Sequence, residues 1–327
     1  MNENFELECE IKKKKISFVI PCYCSTNSLR AVVQDISNMI SGSLYSFEII
    51  LVNDGSPDGT IEIIKEIIND FDNVIGIELA KNFGQHSAYM AGYHYVSGDY
   101  IICLDDDGQN PPSEAIKLVD KLEKGYDAVY GSYDHKKQSF LRNFGSSVNE
   151  MMARFLVGKP KDLYISSFFG MKKFIVDEIV KYKNPYSYVL GLILRSTNKV
   201  TSVEVKHKFR EFGQSGYNIR KLIAFWLDGF TSFSVKPLRM ATFIGLFSSF
   251  FGFLYTLYLI VERIMRPEIV QGWTSLMATT LILGGIILFT LGLLGEYVGR
   301  SYISLNNSPQ FVVRETITKN LSKENSE

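Results

Sequence analysis

The chain has 327 residues, with Lys plus Arg and Asp plus Glu at 35 each, so its formal net charge is zero. That balance removes the electrostatic case for a nucleic-acid partner, and the length allows one globular domain of about 230 residues beside a membrane anchor. The four cysteines show no paired-ligand spacing beyond Cys22 and Cys24 and no His cluster accompanies them, which argues against zinc and fits a reducing compartment.

Residues 1–15 are polar and charged, end in the basic run Lys12–Lys15, and carry no secretory signal. Ile16–Ile20 reads as a short strand stopped by Pro21, and Leu29–Ile40 follows with helical spacing of Leu29, Val32, Val33, Ile36, Met39 and Ile40. The alternation recurs: strand Phe47–Val52 and helix Thr60–Ile68, then strand Val74–Leu79 and helix His86–Val96, then strand Tyr100–Leu104. Strands alternating with amphipathic helices predict a parallel sheet covered by helices. Ligands of such sheets sit outside the carboxyl ends of the strands, so chemistry is expected in the loops after Ile20, Val52, Leu79 and Leu104.

Two of these loops are acidic. Asn53-Asp54-Gly55-Ser56-Pro57-Asp58-Gly59-Thr60 reads equally as an ordinary turn and as a site where Asp54 accepts hydrogen bonds from a nucleobase while glycine lets the backbone approach a ring. Asp105-Asp106-Asp107-Gly108-Gln109-Asn110-Pro111-Pro112 crowds three carboxylates at the end of an apolar strand, which is costly without a cation. Oxygen ligands suit Mg²⁺ or Mn²⁺, which bridge diphosphate oxygens.

Val19-Ile-Pro21-Cys-Tyr23, Val52-Asn-Asp54-Gly-Ser, Lys81-Asn82-Phe-Gly84, the Asp105-x-Asp107-x-Gln109 segment and Leu294-Gly-Glu-Tyr-Val-Gly-Arg300 stand in the order of a known family. Over about Ile16 to Val313 the chain resembles a family 2 glycosyltransferase of GT-A (Rossmann-like) α/β fold, in the polyprenyl-phosphate branch that includes dolichol-phosphate mannose synthase. The resemblance implies transfer, with inversion, of a sugar from a nucleotide donor, UDP before GDP, to a polyprenyl (undecaprenyl) phosphate. It implies that Pro21, Tyr23 and Asp54 line the nucleoside pocket with Lys81 and Asn82 near it. Asp105, Asp107 and Gln109 would face metal and diphosphate, and Asp106 would point elsewhere. Arg142 and Ser146, four residues apart, resemble the acceptor-phosphate pattern; Arg offers phosphate a planar fork and Ser a hydroxyl. The stretch Arg210 to Tyr217, with Ser215, resembles a segment that closes over substrates. Asp162, with Tyr164 and Ser167 just after it, stands near where the family sometimes carries a catalytic acid. Where family members carry acids after the Tyr, this chain has Cys24, Ser25 and Thr26.

An acceptor phosphate is already ionised near neutral pH and needs no general base. A lipid or soluble hydroxyl acceptor is the alternative, with Asp162 as base. A processive polysaccharide synthase would need more than two spans and a Gln-x-x-Arg-Trp motif that the chain lacks.

Tyr217–Phe230, with aromatics among Arg220 and Lys221, resembles an interfacial helix, with a core helix as the other reading. Met240–Val261 and Trp273–Leu294 lack Asp, Glu, Lys and Arg and are long enough to span a bilayer. Flanking cations Arg220, Lys221, Lys236, Arg239 and Arg300 outnumber Arg263 and Arg266 between the spans, which places the catalytic domain and both termini on the cytoplasmic face of the inner membrane. The expected order is a basic tail 1–15, a catalytic domain 16–216, an interfacial segment 217–237, a hairpin 238–299 and a tail 300–327. Gly284, Gly285, Gly292 and Gly295 would allow close helix approach in a homo-oligomer.

Overall fold

Strands β1 (Lys15–Cys22) and β2 (Ser46–Asn53) are buried along almost their whole length, as apolar strands must be when helices cover both faces of a sheet. Ile16, Phe18 and Ile20 of β1 join Ile49 and Leu51 of β2 in one core with α1 (Leu29–Ile40) and α2 (Thr60–Asp70). Val19, Ile50 and Val52 point to the other face, towards α3 (Gln85–Tyr93), where a side chain at Gly92 would stand 2.6 Å from Val19. The missing side chain at Gly92 lets that helix lie close on the sheet.

The computed structural model describes residues 13–133, 160, 163–208, 236–265 and 272–319. After β3 (Val74–Leu79) and α3 come β4 (Tyr100–Cys103), α4 (Ala115–Glu123), β5 (Ala128–Ser132), β6 (Phe169–Lys172), α5 (Lys173–Ile179), α6 (Val189–Ser196) and β7 (Val200–Glu204). Two long helices follow, α7 (Lys236–Met265) and α8 (Trp273–Leu305), then β8 (Val313–Ile317). The strand order is β7-β5-β6-β4-β1-β2-β3-β8.

Three expectations are corrected. The sheet is mixed: β6 runs antiparallel to β4 and β5, and β8 antiparallel to β3. Strand β1 continues through Pro21, because β4 pairs with β1 only as far as Val19↔Cys103 and the absent N–H lies beyond that pairing. Helix α3 ends at Tyr93, short of Val96. The chain beyond it turns inward, with the Ser97 amide donating to buried Glu48 at 2.6 Å and the Gly98 amide to Ser17 Oγ at 2.8 Å.

By internal contacts the chain divides into residues 1–216 with 309–327, and residues 217–308. Strand β8 belongs to the first unit, so the segment read as a tail supplies a strand of the sheet. Within the second unit, Leu238–Glu262 and Ile282–Leu305 are apolar stretches of 25 and 24 residues in which, among the described residues, Ala241 alone is buried. At about 1.5 Å per residue each exceeds the roughly 30 Å of a bilayer core. Exposed Phe243, Phe247, Phe251, Ile287, Leu288 and Phe289 turn outward, the reverse of a water-soluble helix.

Candidate active site

Four strands end side by side, and their loops are hydrogen-bonded to one another. After β1, the Tyr23 amide donates to Asp106 Oδ2 at 3.2 Å, Ser25 Oγ donates to the same oxygen, and the Cys24 amide donates to Ser56 Oγ at 3.0 Å. After β2, Asp54 accepts from the amides of Phe83 and Gly84, at 2.7 and 2.9 Å. After β3, Gln85 Nε2 donates to Asp105 Oδ1 at 2.7 Å. The loops expected to carry chemistry thus form one connected rim at the carboxyl edge of the sheet.

The acids at the end of β4 divide their work. Asp106 is turned to the loop after β1, where its Oδ2 accepts from the Tyr23 amide and Ser25 Oγ. Asp105 takes Gln85 on one oxygen and the hydroxyl of Ser167 on the other. Asp107 Oδ1 accepts the Gln109 amide at 3.0 Å, and Gln109 Nε2 donates to the Lys208 carbonyl at 3.4 Å. Burial pushes the Asp105 carboxyl up to about 6, with Asp107 and Asp106 adding to the rise, while the bonds from Ser167 and Gln85 oppose it. Burial also raises Asp106 and Asp54, against the hydroxyl and amide donors that each accepts from.

Of the residues expected around the donor, Pro21 is buried in β1 and Tyr23 is 49% exposed beyond its end. Asp54 is 3% exposed, and both its oxygens hold the backbone of the next loop. Lys81 lies with its ammonium 5.1 Å from the Phe83 ring, and Asn82 caps the Gly84 amide at 3.1 Å. The loop 81–84 is also pressed against Gly55, whose φ is +60° and where a Cβ would stand 2.6 Å from the Asn82 nitrogen. Only glycine fits that turn.

Arg142, Ser146, Asp162, Arg210, Ser215, Tyr217 and the segment Tyr217–Phe230 lie outside the described residues. The residues that sequence reasoning did not single out as ties are Ser25 and Gln85. Ser25 stands where the family pattern has acids, and Gln85 directly follows the Lys81-Asn82-Phe-Gly84 motif.

Among the described residues no three His, Cys, Asp or Glu side chains are grouped as a metal cage. A hard cation that keeps waters and substrate phosphates needs no such cage, because one or two carboxylates suffice. Among the described residues, Asp105 and Asp106 have hydroxyl, amide and backbone N–H partners, none of them cationic, so these bonds leave their charge uncompensated. The oxygen donors that Asp105, Asp107 and Gln109 carry are of the kind that suits a hard divalent cation such as Mg²⁺ or Mn²⁺ together with a diphosphate.

The family model described as glycosyl transferase family 2 matches residues 17–180, and a model described as GtrB C-terminal hairpin matches residues 236–301. The undecaprenyl-phosphate 4-deoxy-4-formamido-L-arabinose transferase of Yersinia enterocolitica is 34% identical over 319 residues, covering 97% of this chain and 98% of that protein. The protein of the same description from Yersinia pestis is 34% identical over 307 residues, covering 93% and 94%. Among solved structures, glucosyl-3-phosphoglycerate synthase from Mycobacterium tuberculosis, in complex with phosphoglyceric acid, superposes with a TM-score of 0.50 at 17% identity, over 65% of this chain and 76% of that one. At that identity the likeness shows the fold alone.

Proposed function

Since the chain belongs to glycosyl transferase family 2 and carries a GtrB-type hairpin, it is a glycosyltransferase of GT-A fold, and we propose that it moves a sugar from a UDP-sugar to undecaprenyl phosphate at the cytoplasmic face of the inner membrane. The observation that carries this reading is the rim in which the loops after β1, β2, β3 and β4 are tied together through Asp54, Asp105 and Asp106. The acceptor follows from the relatives, which are named for transfer to undecaprenyl phosphate and match this chain over nearly its whole length.

Tyr23 offers a ring against which the base stacks, and the loop 81–84 borders the nucleoside with its shape set by Asp54. Asp105, Asp107 and Gln109 would hold a divalent cation, which neutralises the departing diphosphate when bound. The acceptor phosphate arrives ionised, so the protein's task is to align its oxygen behind the anomeric carbon; a single displacement there inverts the configuration. Arg142, Ser146, Arg210, Ser215 and Tyr217 are proposed for that alignment.

The first unit includes chain on both sides of the hairpin, so a membrane is crossed an even number of times. The excess of Lys and Arg at the outer ends of the two spans favours the cytoplasm for that unit.

The test is full-length protein in detergent with undecaprenyl phosphate, Mg²⁺ or Mn²⁺ and a panel of radiolabelled UDP-sugars. Label should enter an organic-extractable product released by mild acid. Label found only in an alkali-stable glycolipid would assign a hydroxyl acceptor instead, and no transfer from any UDP-sugar would sink the donor assignment.

A further inference from the structure

The last described pair between β4 and β6 on the site side is Cys103↔Phe169, and the two strands run antiparallel. Continuing that register by two residues on each strand sets Ser167 opposite Asp105, which explains why two residues so far apart in sequence are bonded. From the other side comes α3, where Gln85 and Tyr89 are one turn apart and share a face. Gln85 Nε2 donates to Asp105 Oδ1 at 2.7 Å and also reaches Tyr89 Oη at 3.3 Å. Tyr89 Oη in turn donates to the Ser167 carbonyl at 3.5 Å. The tyrosine is 2% exposed, stacked with Tyr93 and edge-on to Phe169, so its hydroxyl has a fixed place.

We propose that Gln85 and Ser167 are positioning residues that fix the orientation of the Asp105 carboxylate, with Tyr89 as the brace linking them into a closed circuit. An unbraced carboxylate at a strand end rotates freely about its side-chain torsions. Here one donor on each oxygen locks both, while each oxygen keeps lone-pair capacity for a ligand. The circuit draws on three separate elements, α3, the end of β4 and the approach to β6, so it forms only when all three have packed. The inference rests on the proposed function, in which Asp105 meets the metal and diphosphate.

The experiment titrates Mn²⁺ into full-length protein in detergent containing UDP, following the free ion by its electron paramagnetic resonance signal. Partners that orient a metal ligand typically change affinity by about 10- to 100-fold. Gln85→Ala and Ser167→Ala are each expected to weaken Mn²⁺ binding by roughly that factor, and Ser167→Thr, which keeps a hydroxyl, to recover most of it. If both alanine variants bind Mn²⁺ as the wild type does while Asp105→Ala loses it, the positioning role is overturned. Loss in Ser167→Ala without recovery in Ser167→Thr assigns Ser167 to packing and overturns the role too. If Asp105→Ala itself retains Mn²⁺ binding, the metal assignment beneath the inference fails.

Discussion

Asp54 Oδ2 accepts the Gly84 amide at 2.9 Å, so an acid at the end of β2 sets the shape of the loop after β3. Its other oxygen takes the neighbouring Phe83 amide. Removing a buried acceptor leaves donors unsatisfied at about 1–3 kcal/mol each. Asp54→Ala is therefore expected to raise KM for the nucleotide sugar about tenfold or more by freeing the loop 81–84, with a smaller rise in Asp54→Asn, which retains one oxygen. Steady-state kinetics at saturating acceptor decide this, and an unchanged KM in Asp54→Ala removes the loop from donor binding.

Gly55 is the second support of the same loop. A methyl group there meets the backbone of Lys81 and Asn82 at a φ of +60°. Gly55→Ala should lower stability by about 1–3 kcal/mol and raise KM for the donor in parallel. Thermal unfolding in detergent reads the first effect. A variant with wild-type melting and wild-type KM would contradict the packing.

Metal removal addresses the acids after β4. Chelation with EDTA is expected to stop sugar transfer, and Mn²⁺ to restore it. Asp107→Ala should lower turnover by about a hundredfold or more. Near-normal transfer by Asp107→Ala would exclude it from the metal site.

His86 gives a pH signature apart from the acids. It sits in α3 against Tyr188, with ring centroids 5.3 Å apart, and burial lowers its pKa to about 4. The folded protein thus favours the neutral ring. Stability from this residue is complete above the ordinary value near 6.5 and is lost as pH falls from there towards 4, by an amount on the order of 3 kcal/mol. His207, lowered by burial as well, acts in the same direction. Melting of wild type and His86→Leu compared between pH 7.5 and 4.5 isolates the residue, since the variant should have the flatter profile. Identical slopes would refute the assignment.

Local patterns were legible in the sequence. The spacing of Leu29, Val32, Val33, Ile36, Met39 and Ile40 located α1; five of the six are buried and Met39 packs partly buried against the same core. The strand ends named Asp54, Asp105 and Asp107 for the same reason, because each follows a short apolar run. What stayed hidden depends on pairing between distant segments. Strand β6 has four residues and its antiparallel insertion between β4 and β5 leaves no periodic trace. Pro21 looked like a strand end because the sequence does not tell where β4 stops alongside it. Ser167 was noticed for its position near an expected acid, yet its bond to Asp105 follows only from the β4–β6 register.

Strand β8 carries a consequence for how the protein is made. It pairs with β3 along the outer edge of the sheet, where Arg314 reaches Glu78 at 3.1 Å and the Ala80 carbonyl at 3.0 Å, and Ala80 donates to Val312. A ribosome delivers these residues after both apolar helices. During synthesis the catalytic domain therefore waits with the edge of β3 open to other strands, a known hazard for nascent chains. The last strand to emerge closes that edge, so a chain interrupted within the hairpin is left with an unfinished sheet as well as an incomplete anchor.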